Sequence, residues 1–168
     1  MELWGVYDAQ RRPLGKTHRR GTPMPHGEYH LIAFVWIFNS RGQLLLTKRS
    51  PEKESFANQW ETTGGAAVAG ETSVQAIARE LFEETGLRAS AEEFVFLESV
   101  RSKSWICDTY ALRKDAALSE IVLQPGETCA AKWVDRAEFE SMLAAHEITQ
   151  PDAQRYHELS RVFDDYFR

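Results

Sequence analysis

Cysteine is scarce in this chain of 168 residues: only Cys107 and Cys129 occur, with neither CxxC spacing nor neighbouring histidines. That excludes a disulfide framework or a zinc ribbon, and both thiols read as ordinary strand residues. Long apolar runs are also missing. The stretch Leu31 to Phe38 falls far short of the ~18 residues that span a bilayer, so no membrane partner is expected. The N-terminus MELWGVYDAQ has no basic stretch ahead of an apolar core, so no signal peptide is read and the cytoplasm is the expected compartment. Positive charge is not in excess either. A net charge of −5 argues against broad electrostatic binding to a nucleic-acid polymer.

What is present is the balance of an ordinary folded chain, 43% hydrophobic and 27% charged. Its length suits one domain spanning 1–168. Leu3 to Asp8 reads as a short strand, and residues 9–27, basic and punctuated by Gly and Pro, read as a surface connection that completes an N-terminal arm over 1–28. Tyr29 to Phe38 and Gln43 to Lys48 form a hairpin around Asn39-Ser40-Arg41-Gly42. The loop Ser50 to Asn58 leads to a short strand at Trp60, followed by Gly64-Gly65 and a helix. Beyond it lie two β segments, Phe94 to Val100 and Ser104 to Leu112, then a strand Cys129 to Val134. Asp135 caps a helix to about Ala145, and Pro151 opens a last helix to about Tyr166. The fold class is α/β with a central mixed sheet.

The segment from Gly65 to Leu87, GAAVAGETSVQAIARELFEETGL, carries the chemistry. At 100° per residue Glu80, Glu83 and Glu84 share an arc of about 100° on one helix, beside an apolar stripe of Val74, Ile77, Ala78, Leu81 and Phe82. Glu83 and Glu84 also sit near the helix C-terminus, where the dipole disfavours negative charge by roughly 0.3–1 kcal/mol each. A hard divalent cation with oxygen ligands, Mg²⁺ or Mn²⁺, would relieve that repulsion. Glu71 points about 180° from Glu80 and is read instead as a partner of Arg79 at the helix start.

This stretch resembles the signature of the Nudix hydrolases, G-x5-E-x7-R-E-U-x-E-E-x-G-U, at every fixed position: Gly65, Glu71, Arg79, Glu80, Leu81, Glu83, Glu84, Gly86 and Leu87. The resemblance implies an α/β/α sandwich with a box at 65–87 and hydrolysis of a small-molecule diphosphate, often a nucleoside diphosphate derivative. It makes Glu80, Glu83 and Glu84 metal ligands, joined by the Gly64 carbonyl, and puts Arg79 in the catalytic set. A further Glu after the box often serves such enzymes, and Glu127 is preferred over Glu120 as a candidate general base. Arg49, with Lys48 on the opposite strand face, is a candidate phosphate contact. Family dimers are common, so a homodimer is an expected assembly.

A narrower resemblance is carried by HLIAFVWIFNSRGQLLLTKRS, which is similar to the corresponding part of type I isopentenyl diphosphate isomerases. His30 stands where that family places a metal-binding histidine, and the His26-x3-His30 spacing suits a metal. Those isomerases also need a cysteine before the helix and a histidine shortly after it. Here Trp60 to Ala69 reads WETTGGAAVA, with neither, so hydrolysis is expected over proton transfer to an alkene carbon. A module that senses a nucleotide or sugar phosphate without turnover is the non-enzymatic alternative.

Overall fold

A computed structural model describes residues 2–168, leaving Met1, the first residue of the expected arm, outside it. In chain order the elements are β1 (Leu3–Tyr7), β2 (Pro13–Arg19), β3 (His30–Phe38), β4 (Leu44–Arg49), β5 (Trp60–Glu61), β6 (Thr63–Ala66), α1 (Ser73–Thr85), β7 (Val95–Arg101), β8 (Trp105–Arg113), β9 (Thr128–Val134), α2 (Arg136–Ala144) and α3 (Gln150–Phe163). Hydrogen bonding orders the central mixed sheet β5-β4-β3-β8-β7, with β6 added to β3 and β9 to β4. The chain forms two compact units, and β3 and α1 each run through both.

Among the described residues the first unit comprises 2–35, 64–81 and 88–111. Its apolar centre is Leu31, Ala67, Ala76 and Ile106, with Tyr7 and Tyr29 packed against them. The sequence pattern misjudged residues 9–27. Instead of a plain connection they contain β2, paired antiparallel with β1 from Leu3↔Arg19 to Tyr7↔Pro13. β2 is solvent-exposed along almost its whole length, so no apolar alternation announces it. Its pairing is a backbone property.

The second unit comprises residues 36–63, 82–87 and 112–168. Its core is aromatic: Trp36 stacks on Phe163 at 4.4 Å, and Phe139 meets Tyr156 edge-on at 4.8 Å. Strand β4 pairs antiparallel with β9 on one side and with β5 on the other. α2 begins as expected, with the Asp135 carboxylate accepting from the Glu138 amide at 2.8 Å.

Between β5 and β6 the chain changes partner strands, from β4 to β3, and Thr62 is the residue at the change. Its backbone N–H donates to Asp152 at 3.0 Å and its hydroxyl does so at 2.7 Å, while Thr149 and Arg155 complete the carboxylate's partners. Asp152 is 1% exposed, so this buried carboxylate replaces ladder bonds that the switch removes. The strand is thereby fixed just ahead of Gly64 and Gly65. Among the described residues no helix is long and apolar enough to cross a membrane.

Candidate active site

α1 starts with a reciprocal cap: Thr72 Oγ1 accepts from the Gln75 amide at 3.3 Å, and Gln75 Oε1 accepts from the Thr72 amide at 2.9 Å. It stops at Gly86, whose φ of +73° turns the chain out of the helix and whose N–H bonds to the Phe82 carbonyl at 2.9 Å. Ser73, Ala76, Ile77 and Leu81 are buried. Phe82, expected in the apolar stripe, is 43% exposed. The inward direction of α1 therefore runs through Ser73, Ala76 and Ile77 and on into Glu80, Leu81 and Glu84, all within about 140° of arc. Glu80 and Glu84 are half-buried and Glu83 is exposed. Where continuity of the stripe calls for apolar residues, the helix turns carboxylates inward, and one oxygen of Glu84 is fully buried.

In the first unit Arg79 organises the box. Its Nε donates to Glu71 Oε1 at 2.9 Å, Nη2 to Glu71 Oε2 and to the Ala66 carbonyl at 3.0 Å each, and Nη1 to Glu80 Oε1 at 2.8 Å. The bonds to Glu71, with Glu80 beside them, push the guanidinium pKa further up, so it is a fixed cation. Glu71 closes its own loop by accepting from the Val68 amide at 3.0 Å. The pairing of Glu71 with Arg79 matches the sequence reading. Gly65 explains its own identity: a Cβ there would sit 2.8 Å from Glu80 Oε2 and nearer still to Oε1 and Cδ. The Glu80 carboxylate occupies the space that a side chain at 65 would fill.

Among the described residues no three His, Cys, Asp or Glu side chains converge as a ready-made metal centre. Glu80 is instead drawn toward the Arg79 cation. The donor set still suits a hard cation: hard oxygen donors lie on one helix, and the Gly65 cradle leaves room for the carboxylate of Glu80. The His26-x3-His30 spacing does not form a metal cluster. His30 is buried, stacks on Trp4 at 3.9 Å and has a pKa lowered by burial to about 4, and its Nδ1 has no hydrogen-bond partner.

The second unit holds the other residues singled out by sequence. Arg49 Nη1 donates to both Glu61 oxygens at 2.9 and 2.8 Å, and its Nε donates to the Ser55 carbonyl at 2.9 Å, tying the 50–58 loop to β4. Burial pushes Glu61 up to about 7, against the attraction of Arg49 and with the charge of Asp152 adding to the rise. Sequence reasoning passed over Glu61, because its register opposite Thr47, two residues before Arg49, is a pairing that no local sequence signal states. Lys48 lies on the opposite face, as strand alternation dictates, 5.7 Å from the Trp60 ring centroid, with Lys132 at 4.8 Å from the same centroid. Glu127 is ion-paired with Lys53, and its carbonyl accepts from the Ser50 amide at 2.8 Å, so it clasps the same loop. Cys107 is buried and Cys129 exposed, both as free thiols.

The family model of the NUDIX domain matches residues 28–159. An uncharacterized Nudix hydrolase of Listeria monocytogenes is 37% identical over 149 residues, 88% of either chain. An isopentenyl-diphosphate Delta-isomerase of Enterobacter sp. is 30% identical over 149 residues, covering 83% of this chain and 78% of the relative. In structure, DR0079 of Deinococcus radiodurans superposes with a TM-score of 0.74 at 25% identity, covering 99% of this chain and 100% of that one. A bifunctional NMN adenylyltransferase/ADP ribose pyrophosphatase from Francisella tularensis, solved with AMP and a Mn ion, gives a TM-score of 0.64 at 19% identity over 86% of this chain and 44% of that one. With an intact box built around Arg79 and an inward acidic helix face, the chain belongs to the Nudix family and is a Nudix hydrolase.

Proposed function

We propose that the chain hydrolyses the diphosphate linkage of a nucleoside diphosphate derivative, with ADP-ribose as the first compound to test. The observation that carries this reading is the inward-turned acidic face of α1, half-buried at Glu80 and Glu84. Glu80, Glu83, Glu84 and the Gly64 carbonyl would hold Mg²⁺ or Mn²⁺. When bound, the ion neutralises charge on the phosphate oxygens and lowers the pKa of an attached water. Arg79 positions Glu80 by holding its Oε1 while Glu71 and the Ala66 carbonyl hold Arg79. Arg49, kept in place by Glu61 and Ser55, is the phosphate contact; Lys48, on the other face of β4, does not share that role. Glu127 serves as a loop clasp through Lys53 rather than as the proton acceptor. In the reaction, water oxygen bonds to one phosphorus as the bridging P–O bond breaks, so ADP-ribose yields AMP and ribose 5-phosphate.

The nucleotide solved with the Francisella relative supports the substrate class. The likeness to an isomerase points only to a shared interest in diphosphates, because WETTGGAAVA offers no cysteine or histidine to protonate carbon. The experiment is a product screen over ADP-ribose, other nucleoside diphosphate derivatives and isopentenyl diphosphate with Mg²⁺ or Mn²⁺, comparing the parent with Glu84→Gln. Hydrolysis lost in the variant is the expected result. Tight binding without turnover would point to a sensor, and isomerisation of isopentenyl diphosphate unaffected by the substitution would overturn the hydrolytic reading.

A further inference from the structure

The β1-β2 hairpin lies outside the 28–159 span of the family match, yet it grips the box at two places. At the first, β1 adds its backbone to the loop ahead of α1. The Ala69 amide donates to the Leu3 carbonyl at 2.8 Å, and Trp4 bridges Val68 in antiparallel fashion. From the other side the Ala67 amide donates to Leu31 of β3 at 2.9 Å, so the loop is held between two strands. One of its amides, that of Val68, reaches Glu71, then Arg79, then Glu80. A continuous series of hydrogen bonds thus runs from the loop clamped by β1 to the carboxylate over Gly65.

At the second place the hairpin tip is pinned to the start of α1. Arg11 has a φ of +63°, a left-handed conformation that costs an L-residue roughly 1–2 kcal/mol. Its guanidinium binds both oxygens of the buried Asp108, and also Ser99 Oγ at 3.3 Å and Ser73 Oγ at 3.2 Å. Ser73 is the first residue of α1 and itself bonds Asp108 and Tyr110. Burial alone would raise the Asp108 pKa; the hydrogen bonds from Arg11, Ser73 and Ser99 hold it below the usual value, so the pair stays ionised. A strained arginine at an exposed tip, satisfied by the first residue of the box helix, is more than a hairpin needs in order to turn. The Asp8 carboxylate already shapes the turn by accepting from the Gln10 and Arg12 amides at 2.9 and 2.8 Å.

We propose that the N-terminal hairpin is a working part of the hydrolytic site, with Arg11 as a positioning residue that, together with β1, fixes the 66–71 loop and thereby the placement of Glu80. This rests on the hydrolytic reading only for its kinetic consequence.

The test compares Arg11→Ala, Arg11→Lys and Ser73→Ala with the parent by hydrogen–deuterium exchange, Mn²⁺ titration and turnover of ADP-ribose. In Arg11→Ala, amides of 66–71 are expected to exchange about tenfold faster while those of α2 and α3 are unchanged. Mn²⁺ affinity should fall about tenfold, as when a supporting shell is lost, with partial recovery in Arg11→Lys, which keeps the charge but not the fork of donors. Ser73→Ala, which keeps the hairpin's own pair with Asp108, should speed exchange in the same loop. In turnover, kcat should fall about tenfold with KM within about twofold, and adding Arg11→Ala to Glu80→Gln should cost nothing further. Unchanged exchange over 66–71 would overturn the proposal, as would faster exchange everywhere or an independent, additive loss in the double variant. Should the parent turn over no substrate, the hydrolytic reading fails while exchange and Mn²⁺ binding still decide the role of Arg11.

Discussion

Gly65→Ala separates catalysis from folding more cleanly than removing a carboxylate does. Gly65 does not take a positive φ, so alanine fits its backbone, and the added Cβ meets only the far end of Glu80. To regain an ordinary contact of about 3.5 Å from a starting 2.8 Å or less, the carboxylate must retreat by about 1 Å. A displacement of that size at a reacting centre costs on the order of 10²-fold, or about 2.7 kcal/mol of barrier. Stability should hardly move. Gly→Ala at a permissive site contributes about 0.4–1 kcal/mol through the unfolded chain, and loosening the Arg79–Glu80 pair removes a similar amount.

The neighbouring Gly64→Ala supplies the contrast. Its Cβ would lie 2.6 Å from the Ala33 carbonyl oxygen and against the Phe34 ring, neither of which is the end of a flexible chain. Overpacking of this kind costs about 1–3 kcal/mol, which lowers the Tm by several degrees at roughly 2–4 °C per kcal/mol. Thermal unfolding and steady-state kinetics on whichever diphosphate is turned over read both effects. Wild-type kcat in Gly65→Ala, or a Tm loss equal to that of Gly64→Ala, would refute the cradle.

Three further outcomes follow from the geometry. Asp152→Asn turns an acceptor of several buried donors into a group with an amide facing them, and the Tm should fall by about 5–10 °C for the 2–3 kcal/mol such a network loses; a melt within a degree of the parent would contradict the strand-switch account. For Glu61, a folded pKa of about 7 against 4.5 means that the folded state holds its proton more tightly, so stability is highest below about 4.5, declines as pH rises to about 7 and is level above; the full shift corresponds to roughly 3 kcal/mol at most. Urea denaturation at pH 5 and 8 should show that decline in the parent and lose it in Glu61→Gln. Finally, Mg²⁺ or Mn²⁺ at about five times its Kd should raise the Tm by roughly 2–4 °C, and Glu80→Gln or Glu84→Gln should abolish the rise; an unchanged melting curve for the parent at millimolar metal would count against the ligand set.

Most of the fold was legible because its signals are local. The Asn39–Gly42 turn, the Asp135 cap and the Gly86 stop each act within a few residues, and each is where the pattern put it. β2 was not legible, since an exposed strand paired only through its backbone leaves no alternation to read. The stripe on α1 was misdrawn at Phe82 for a related reason: a hydrophobic residue beside a stripe is assigned to it by default, and only burial shows that Glu84 takes the inward bearing instead. Arg11, Glu61 and Asp152 escaped notice because their partners are far away in sequence or, for Glu61, lie across a strand pair whose register the sequence does not state. Arg79 and Glu71 were found because the box is compact enough to bring both ends of that ion pair into one motif.

The inward carboxylates of α1 make little sense as structure and good sense as chemistry. Of the acidic set, Glu83 and Glu84 stand near the end of the helix where its dipole opposes them, and the Arg79 cation is already shared between Glu71 and Glu80. A helix selected for stability would continue the Ala76–Ile77–Leu81 stripe with aliphatic residues at the same bearing. The glycine at 65 points the same way, since it gives up a side chain to make room for an oxygen. The isomerase likeness sets hydrolysis against proton transfer at carbon. Both chemistries need the diphosphate charge neutralised, which the acidic helix can organise through a cation. Only isomerisation also needs an acid and a base at carbon, and the strand that would deliver them here delivers two glycines and the cradle for Glu80. The strand therefore suits the proposed hydrolysis better than isomerisation.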